Sequence, residues 1–157
     1  MAVAGISTLG VKFFYGVETT AGTKPSTFTQ LTRINSIGGI TITSENIDAS
    51  ALEDAVTKYV AGRGDAEGTM AVTVNLTQDT IAEWEALISA YETAKASGLS
   101  IWFETYSASL GGDAFFVVAE PPLQIPQPET NQNELWTVEM TLTVNDYKGM
   151  DTAVIPS

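Results

Sequence analysis

From Leu135 to Asn145 the chain alternates without a break: Trp136, Val138, Met140, Leu142 and Val144 are apolar, and Thr137, Glu139, Thr141, Thr143 and Asn145 are polar. Successive side chains of an extended backbone point to opposite faces, so this run reads as a β-strand with one face in a core and the other in water. It is about twice the usual strand length of five or six residues. A chain that contains it must build a sheet wide enough to cover one whole side of it.

Further strands are written elsewhere. Val11 to Glu18 (VKFFYGVE) is aromatic and β-branched and ends at the Thr, Gly and Pro cluster TTAGTKPS. Leu31–Ile34 and Ile40–Thr43 are expected to form a hairpin around Ser36, Gly38 and Gly39. In Thr69–Leu76, Met70, Val72, Val74 and Leu76 face one way and Thr69, Ala71, Thr73 and Asn75 the other. Ile101–Tyr106 and Ala114–Ala119 complete the set. PPLQIPQPETNQNE, between the last two strands, holds four of the six prolines and reads as an extended loop or covered edge.

One helix interrupts the strands. Ile81, Trp84, Leu87, Ile88, Tyr91 and Ala94 fall on one stripe at helical spacing, with Glu85, Ser89 and Glu92 opposite. Asp79 or Thr80 is the expected cap, Thr80 and Glu83 have capping-box spacing, and Gly98 supplies the stop. The pattern predicts a mainly β (α+β) fold, a β-sandwich or barrel-like domain over residues 1–157 with one helix packed on it. The termini, 1–10 and 147–157, are expected as flexible arms.

A second interruption is harder to place. DASALEDAVTKYVAGRGD, Asp48 to Asp65, is too long for a turn and carries Leu52, Val56, Tyr59 and Val60 at spacings that allow a short helical turn. Folded on its own domain it would have little to bury against. Docked on a neighbour it could bury Leu52, Tyr59 and Val60, while Lys58 and Arg63 bring positive charge toward an acidic partner surface. These five residues are the candidate subunit interface. A contact between two different surfaces closes into a ring or propagates as a filament.

Composition removes several functions. With no cysteine there are no disulfides or thiolate metal sites, and with no histidine the commonest general base and metal ligand are missing. Carboxylates are abundant, but adjacent acids in an acidic chain are usually a solvated face, and no DxDxDG-type calcium loop occurs. No catalytic residue, cofactor or metal site is expected. Arg63-Gly64-Asp65 spells an integrin-binding tripeptide and Asn75-Leu76-Thr77 a glycosylation sequon. Neither has a secretory signal to support it, since the N-terminus lacks a basic segment followed by a continuous apolar one. No run approaches the roughly 18 apolar residues of a membrane helix.

The net charge of -12 lies wholly in one part of the chain: residues 1–63 balance, and residues 64–157 carry two basic and fourteen acidic side chains. Such a surface repels phosphate backbones and argues against nucleic-acid binding through a basic patch.

Ile47 to Asn75, IDASALEDAVTKYVAGRGDAEGTMAVTVN, resembles the signature of tailed-bacteriophage tail tube (major tail) proteins. An Ile-Asp, a Ser, an acidic pair, an aromatic residue and a Gly turn precede a Thr-rich strand. The sequence departs at Ala61, where family members often place a proline before the turn Gly62. More loosely, the similarity extends over most of the chain.

The resemblance implies a subunit that forms stacked hexameric rings around a channel through which the genome leaves the capsid, with the long early loop reaching an adjacent subunit or ring. It implies partners of the same kind: further copies of the chain, tape-measure and tail-terminator proteins, and viral DNA that passes without specific binding. It places the protein in the virion tail, assembled in the bacterial cytoplasm, with no membrane partner. An acidic or Thr-rich bore suits that task, because a bore of Lys and Arg would bind DNA by counterion release. Glu104, Thr137, Glu139, Thr141 and Thr143 are the candidate lumen residues. Two rival readings share the fold: a monomeric immunoglobulin-like decoration or adhesion module, and the tube protein of a related contractile secretion system.

Overall fold

The computed structural model describes residues 5–41, 43–53, 55–56, 58–65 and 68–156, with the side chains of 43–46 and 59–65 outside the description. The expected mainly β, α+β architecture with one packed helix is present. Seven strands form one antiparallel sheet: β1 (Lys12–Val17), β2 (Thr29–Leu31), β3 (Ile34–Ile37), β6 (Thr69–Asn75), β7 (Ile101–Tyr106), β8 (Asp113–Glu120) and β9 (Thr137–Thr152). Their order across the sheet is β2-β1-β7-β8-β9-β6-β3, and β4 (Thr43–Asp48) and β5 (Tyr59–Asp65) make a separate two-stranded ribbon.

The long alternating run is the strand that holds the sheet together. β9 extends over 16 residues. Its first half pairs with β6, from Asn75 opposite Thr137 to Thr69 opposite Thr143. Its second half pairs with β8, from Glu120 opposite Thr143 to Asp113 opposite Thr152. Two register shifts in the β8–β9 ladder, at Phe116/Val117 and Val118/Ala119, bend the sheet where it changes partner. Residues 147–152 therefore continue β9 instead of forming an arm.

Helix α1 (Gln78–Ala96) lies on one face of the sheet, and its capping follows from local hydrogen bonding. Thr77, not Asp79 or Thr80, is the N-cap: its side chain accepts from the Thr80 N–H, and the Thr80 hydroxyl accepts from the Thr77 N–H. Thr80 takes the place of the usual Glu in this reciprocal pair. At the other end Gly98, at φ +74°, reverses the chain; its N–H donates to the Lys95 carbonyl and that of Leu99 to the Ala94 carbonyl. A left-handed residue after the cap with these two bonds is the reason glycine stands there.

Trp84, Leu87, Tyr91 and Ala94 are buried under the helix, with Ile81 and Ile88 only half-buried at its margin. They meet Phe13, Leu31, Val72, Val74, Ile101, Phe103, Val117, Val138, Met140 and Leu142 in the main core. A smaller core lies on the opposite face, where Phe14, Phe28, Trp102, Ala114, Phe116 and Val118 cluster.

The expected hairpin at 31–43 does not form. β3 pairs with β6, and the N–H of Gly38 donates to the Ala71 carbonyl at 2.6 Å. A Cβ on Gly38 would stand 2.8 Å from that oxygen, so only glycine lets the edge strand approach this closely. β2 pairs with β1 at the other edge.

Candidate functional site

The sheet face away from α1 has two different halves. Over β1, β7 and β8 it is aromatic and covered by Phe28 and by residues 153–154. Over β6 and β9 it is polar and open. Alternation sends Val138, Met140, Leu142 and Val144 into the core, which leaves Glu139, Thr141, Thr143 and Asn145 exposed and Thr137 half-buried on the other side. The β6–β9 register then sets Thr69 beside Thr143, Ala71 beside Thr141, Thr73 beside Glu139 and Asn75 beside Thr137. The outcome is a strip of hydroxyls with Glu139 as its one charged side chain among the paired positions. Asn35 extends it toward β3 by donating to the Asn75 side-chain oxygen.

Four of the five lumen candidates, Thr137, Glu139, Thr141 and Thr143, thus share one face. Thr69, Thr73 and Asn75 belong with them. Their period-two pattern was visible in the sequence, but only the strand order reveals that β6 lies beside β9.

Glu104 does not belong to this strip. It is fully buried on β7, among the aromatic half of the face. Its neighbours across the ladders are Phe14 and Phe116, so no rearrangement of surface side chains exposes it. Glu104 is therefore removed from the lumen candidates. One carboxylate oxygen accepts from the Val154 N–H at 3.1 Å, and the other has no hydrogen-bond partner among the described residues. Burial raises its pKa above the usual 4.5, opposed by the Val154 hydrogen bond and by Lys24.

The segment Asp48–Asp65 is strand, loop and strand, not a helical turn. In the ladder Asp48 stands opposite Tyr59 and Ile47 opposite Val60. Hydrogen bonding between β4 and β5 pairs the backbone groups that face across the ribbon. Ser50 closes the loop: its N–H donates to Asp48 Oδ1 at 2.9 Å and its Oγ accepts from the Lys58 N–H at 2.6 Å. The Ser50 contacts hold the Asp48 carboxyl below its usual range.

Of the interface candidates, Leu52 is fully exposed at the loop tip, with Val56 and Ile47 also exposed, and Lys58 is exposed at its base. Tyr59, Val60 and Arg63 lie in β5, and their side chains are outside the description. The ribbon thus presents apolar side chains to solvent at its tip, uncovered by any of the described residues.

An open groove of about 640 Å³ runs along the end of the helix-side face, lined by Ile34, Ile37, Ile40, Met70, Phe115 and Tyr147 among others. Among the described residues no group of three acidic, His or Cys side chains is placed to hold a metal ion. No helix there is long and apolar enough to cross a membrane.

The sequence matches no family model. It matches none of the curated proteins either. Solved structures do resemble the chain. A chain from the cryo-EM structure of the anti-feeding prophage cap, the tube-terminating cap, superposes with a TM-score of 0.61 at 15% identity over 98% of this chain and 95% of that one. A chain of the sheath/tube terminator of the extracellular contractile injection system PVC, in the extended state, gives 0.55 at 14% identity, over 97% and 100%. One from the anti-feeding prophage baseplate gives 0.51 at 11%, over 99% and 100%. This chain shares their fold. At such identities the likeness concerns architecture, and it spans nearly the whole length of each partner, sheet and helix together.

Proposed function

We propose that this chain is a non-enzymatic structural subunit of a phage-tail-like tube. In this reading it assembles with copies of itself into stacked, hexameric rings, with the ribbon tip reaching a neighbouring subunit and the Thr strip of β6 and β9 facing the bore. The observation that carries the reading is the fold likeness, over nearly the full chain, to components of the anti-feeding prophage and of a contractile injection system. The strip supports the orientation. Hydroxyls and one carboxylate present no cation on which phosphates could settle, so viral DNA would pass without specific binding. Tape-measure and terminator proteins would be its further partners, and the virion tail its location after assembly in the host cytoplasm.

A second reading is favoured by two of the structural likenesses, which are to a cap and to a terminator. In it the chain forms one ring that closes the end of a tube built by another protein. Negative-stain microscopy with size-exclusion chromatography of the purified protein separates the two. Stacked tubes support the tube subunit, and single rings that do not stack support the terminator. A monomer at every concentration overturns both and restores the decoration module.

A further inference from the structure

The aromatic half of the sheet is closed by a short strap. After β9 the chain turns over Trp102, Glu104 and Phe116, with Ala153 and Val154 packed on the cluster and Ile155 half out in solvent. Few ties hold it. The Ala153 N–H donates to the Gly112 carbonyl at 3.0 Å, the Val154 N–H to Glu104, and Lys24 Nζ to the Thr152 carbonyl at 2.9 Å and to Asp151 at 3.1 Å.

Beneath the strap, Glu104 is fully buried with one oxygen unpartnered among the described residues. A neutral carboxyl can stay there at modest cost. A carboxylate with a single N–H donor, walled by aromatic rings, lacks the two or three partners that stabilise a buried charge.

We propose that Glu104 is a proton-operated clasp: as the neutral acid it lets the strap Ala153–Ile155 close over the aromatic cluster, and on ionisation it draws in water by lifting that strap. Phe28, from the loop before β2, also covers the cluster, but the strap is the element that yields because its Val154 N–H is the group bonded to Glu104, whereas Phe14, Trp102 and Phe116 stand on paired strands. Phe14 on β1 and Phe116 on β8 flank Glu104, and both are uncharged. On its own strand, Trp102 has its indole N–H committed to Glu18 and the Lys148 ammonium over its ring, and Tyr106 lies against Phe14. From the loop after β1, Lys24 favours the ionised form, yet its ammonium is occupied by Asp151, by the Thr152 carbonyl and by the Phe116 ring at 4.7 Å.

The sign follows from burial. The carboxyl is more basic when the strap is closed than when Glu104 reaches water. Closure is therefore strongest below the ordinary value of 4.5 and is lost as pH rises through the closed-state value. Asp151 acts in the opposite sense: hydrogen bonds from Thr152 and Lys24 hold its carboxyl low, so the Lys24 tie fails only in stronger acid.

Hydrogen exchange of the Ala153 and Val154 amides on the intact chain tests the clasp. After correction for intrinsic exchange, protection should fall by up to about tenfold for each pH unit between the open-state and closed-state values, then level off. In Glu104→Gln, which keeps the shape without the charge, protection should stay high and flat. Val154→Pro removes the donor at the clasp, and Ala153 should then exchange fast at every pH. Protection independent of pH in the wild-type chain overturns the proposal. So does loss of protection in a folded Glu104→Gln, or a surviving pH dependence at Ala153 in Val154→Pro.

Discussion

Trp102 Nε1 donates a 2.8 Å hydrogen bond to Glu18 Oε2, although the two residues are 84 positions apart in sequence. Both are buried. The same carboxylate accepts from the N–H groups of Gly22 and Ser100, so one side chain ties the end of β1, the loop after it and the start of β7. All three donors lose their partner in Glu18→Ala. Only the Trp102 bond is buried, while those from Gly22 and Ser100 are part-buried and their N–H groups can turn to water, so the variant should lose roughly 1–3 kcal/mol in urea unfolding followed by circular dichroism. A loss below about 1 kcal/mol would mean that water replaces the carboxylate there.

Trp84 is the largest fully buried side chain of α1, and its indole N–H has no partner among the described residues. Trp84→Ala should cost about 3–5 kcal/mol through lost burial and the cavity left behind. Trp84→Phe should cost much less, because the smaller ring removes an unsatisfied donor together with some volume. Equal losses in the two variants would show that the N–H is satisfied in solution.

These residues also mark where sequence reasoning reached and where it stopped. Periodicity depends only on the chain itself, so the strands at 69–76 and 135–145 and the stripe of α1 were legible, with Trp84 on its buried side. Partner choice depends on residues far away. The strand at 34–37 lies beside β6 because Gly38 allows close approach to Ala71, and nothing local distinguishes that from a hairpin. Glu104 is the single charged residue of its strand, and only the order β1-β7-β8 reveals that its face is covered. Glu18 gave no signal, being a single acid at a strand end. In the ribbon, apolar spacings of four, three and one fit a helical turn as well as a hairpin loop, and the Ser50 contacts decided between them.

Tyr91 Oη donates to Glu120 Oε1 at 2.8 Å, joining α1 to the end of β8. Burial, that hydrogen bond and the nearby carboxylate raise the phenol from 10.0 to about 12. Because the folded value lies above the unfolded one, the stabilisation is complete below pH 10 and disappears as pH rises through about 12. In an absorbance titration Tyr91 should ionise late, near pH 12, with Tyr15 also raised, chiefly by burial. Tyr91→Phe should remove that late step. It should also lower stability by about 1 kcal/mol at neutral pH and shrink the difference in strong alkali.

The ribbon tip provides the sharpest test of assembly. Leu52 and Val56 are exposed in the isolated subunit, and the contacts that shape the loop come from Ser50, Asp48 and Lys58. Replacing both with Asp therefore removes no core and leaves the described bonds that close the loop in place. Unfolding midpoint and far-ultraviolet circular dichroism should stay within the small range usual for surface changes, about 0.5 kcal/mol. Assembly should respond differently, since two carboxylates would have to be desolvated wherever the tip is buried against a neighbour. Rings or tubes seen by microscopy for the parent chain should be lost or greatly reduced in the double variant, and raised salt should restore them little, because desolvation is not screened as surface charge is. Normal assembly of a folded double variant would remove the tip from the interface and leave contacts between subunits to the sheet edges.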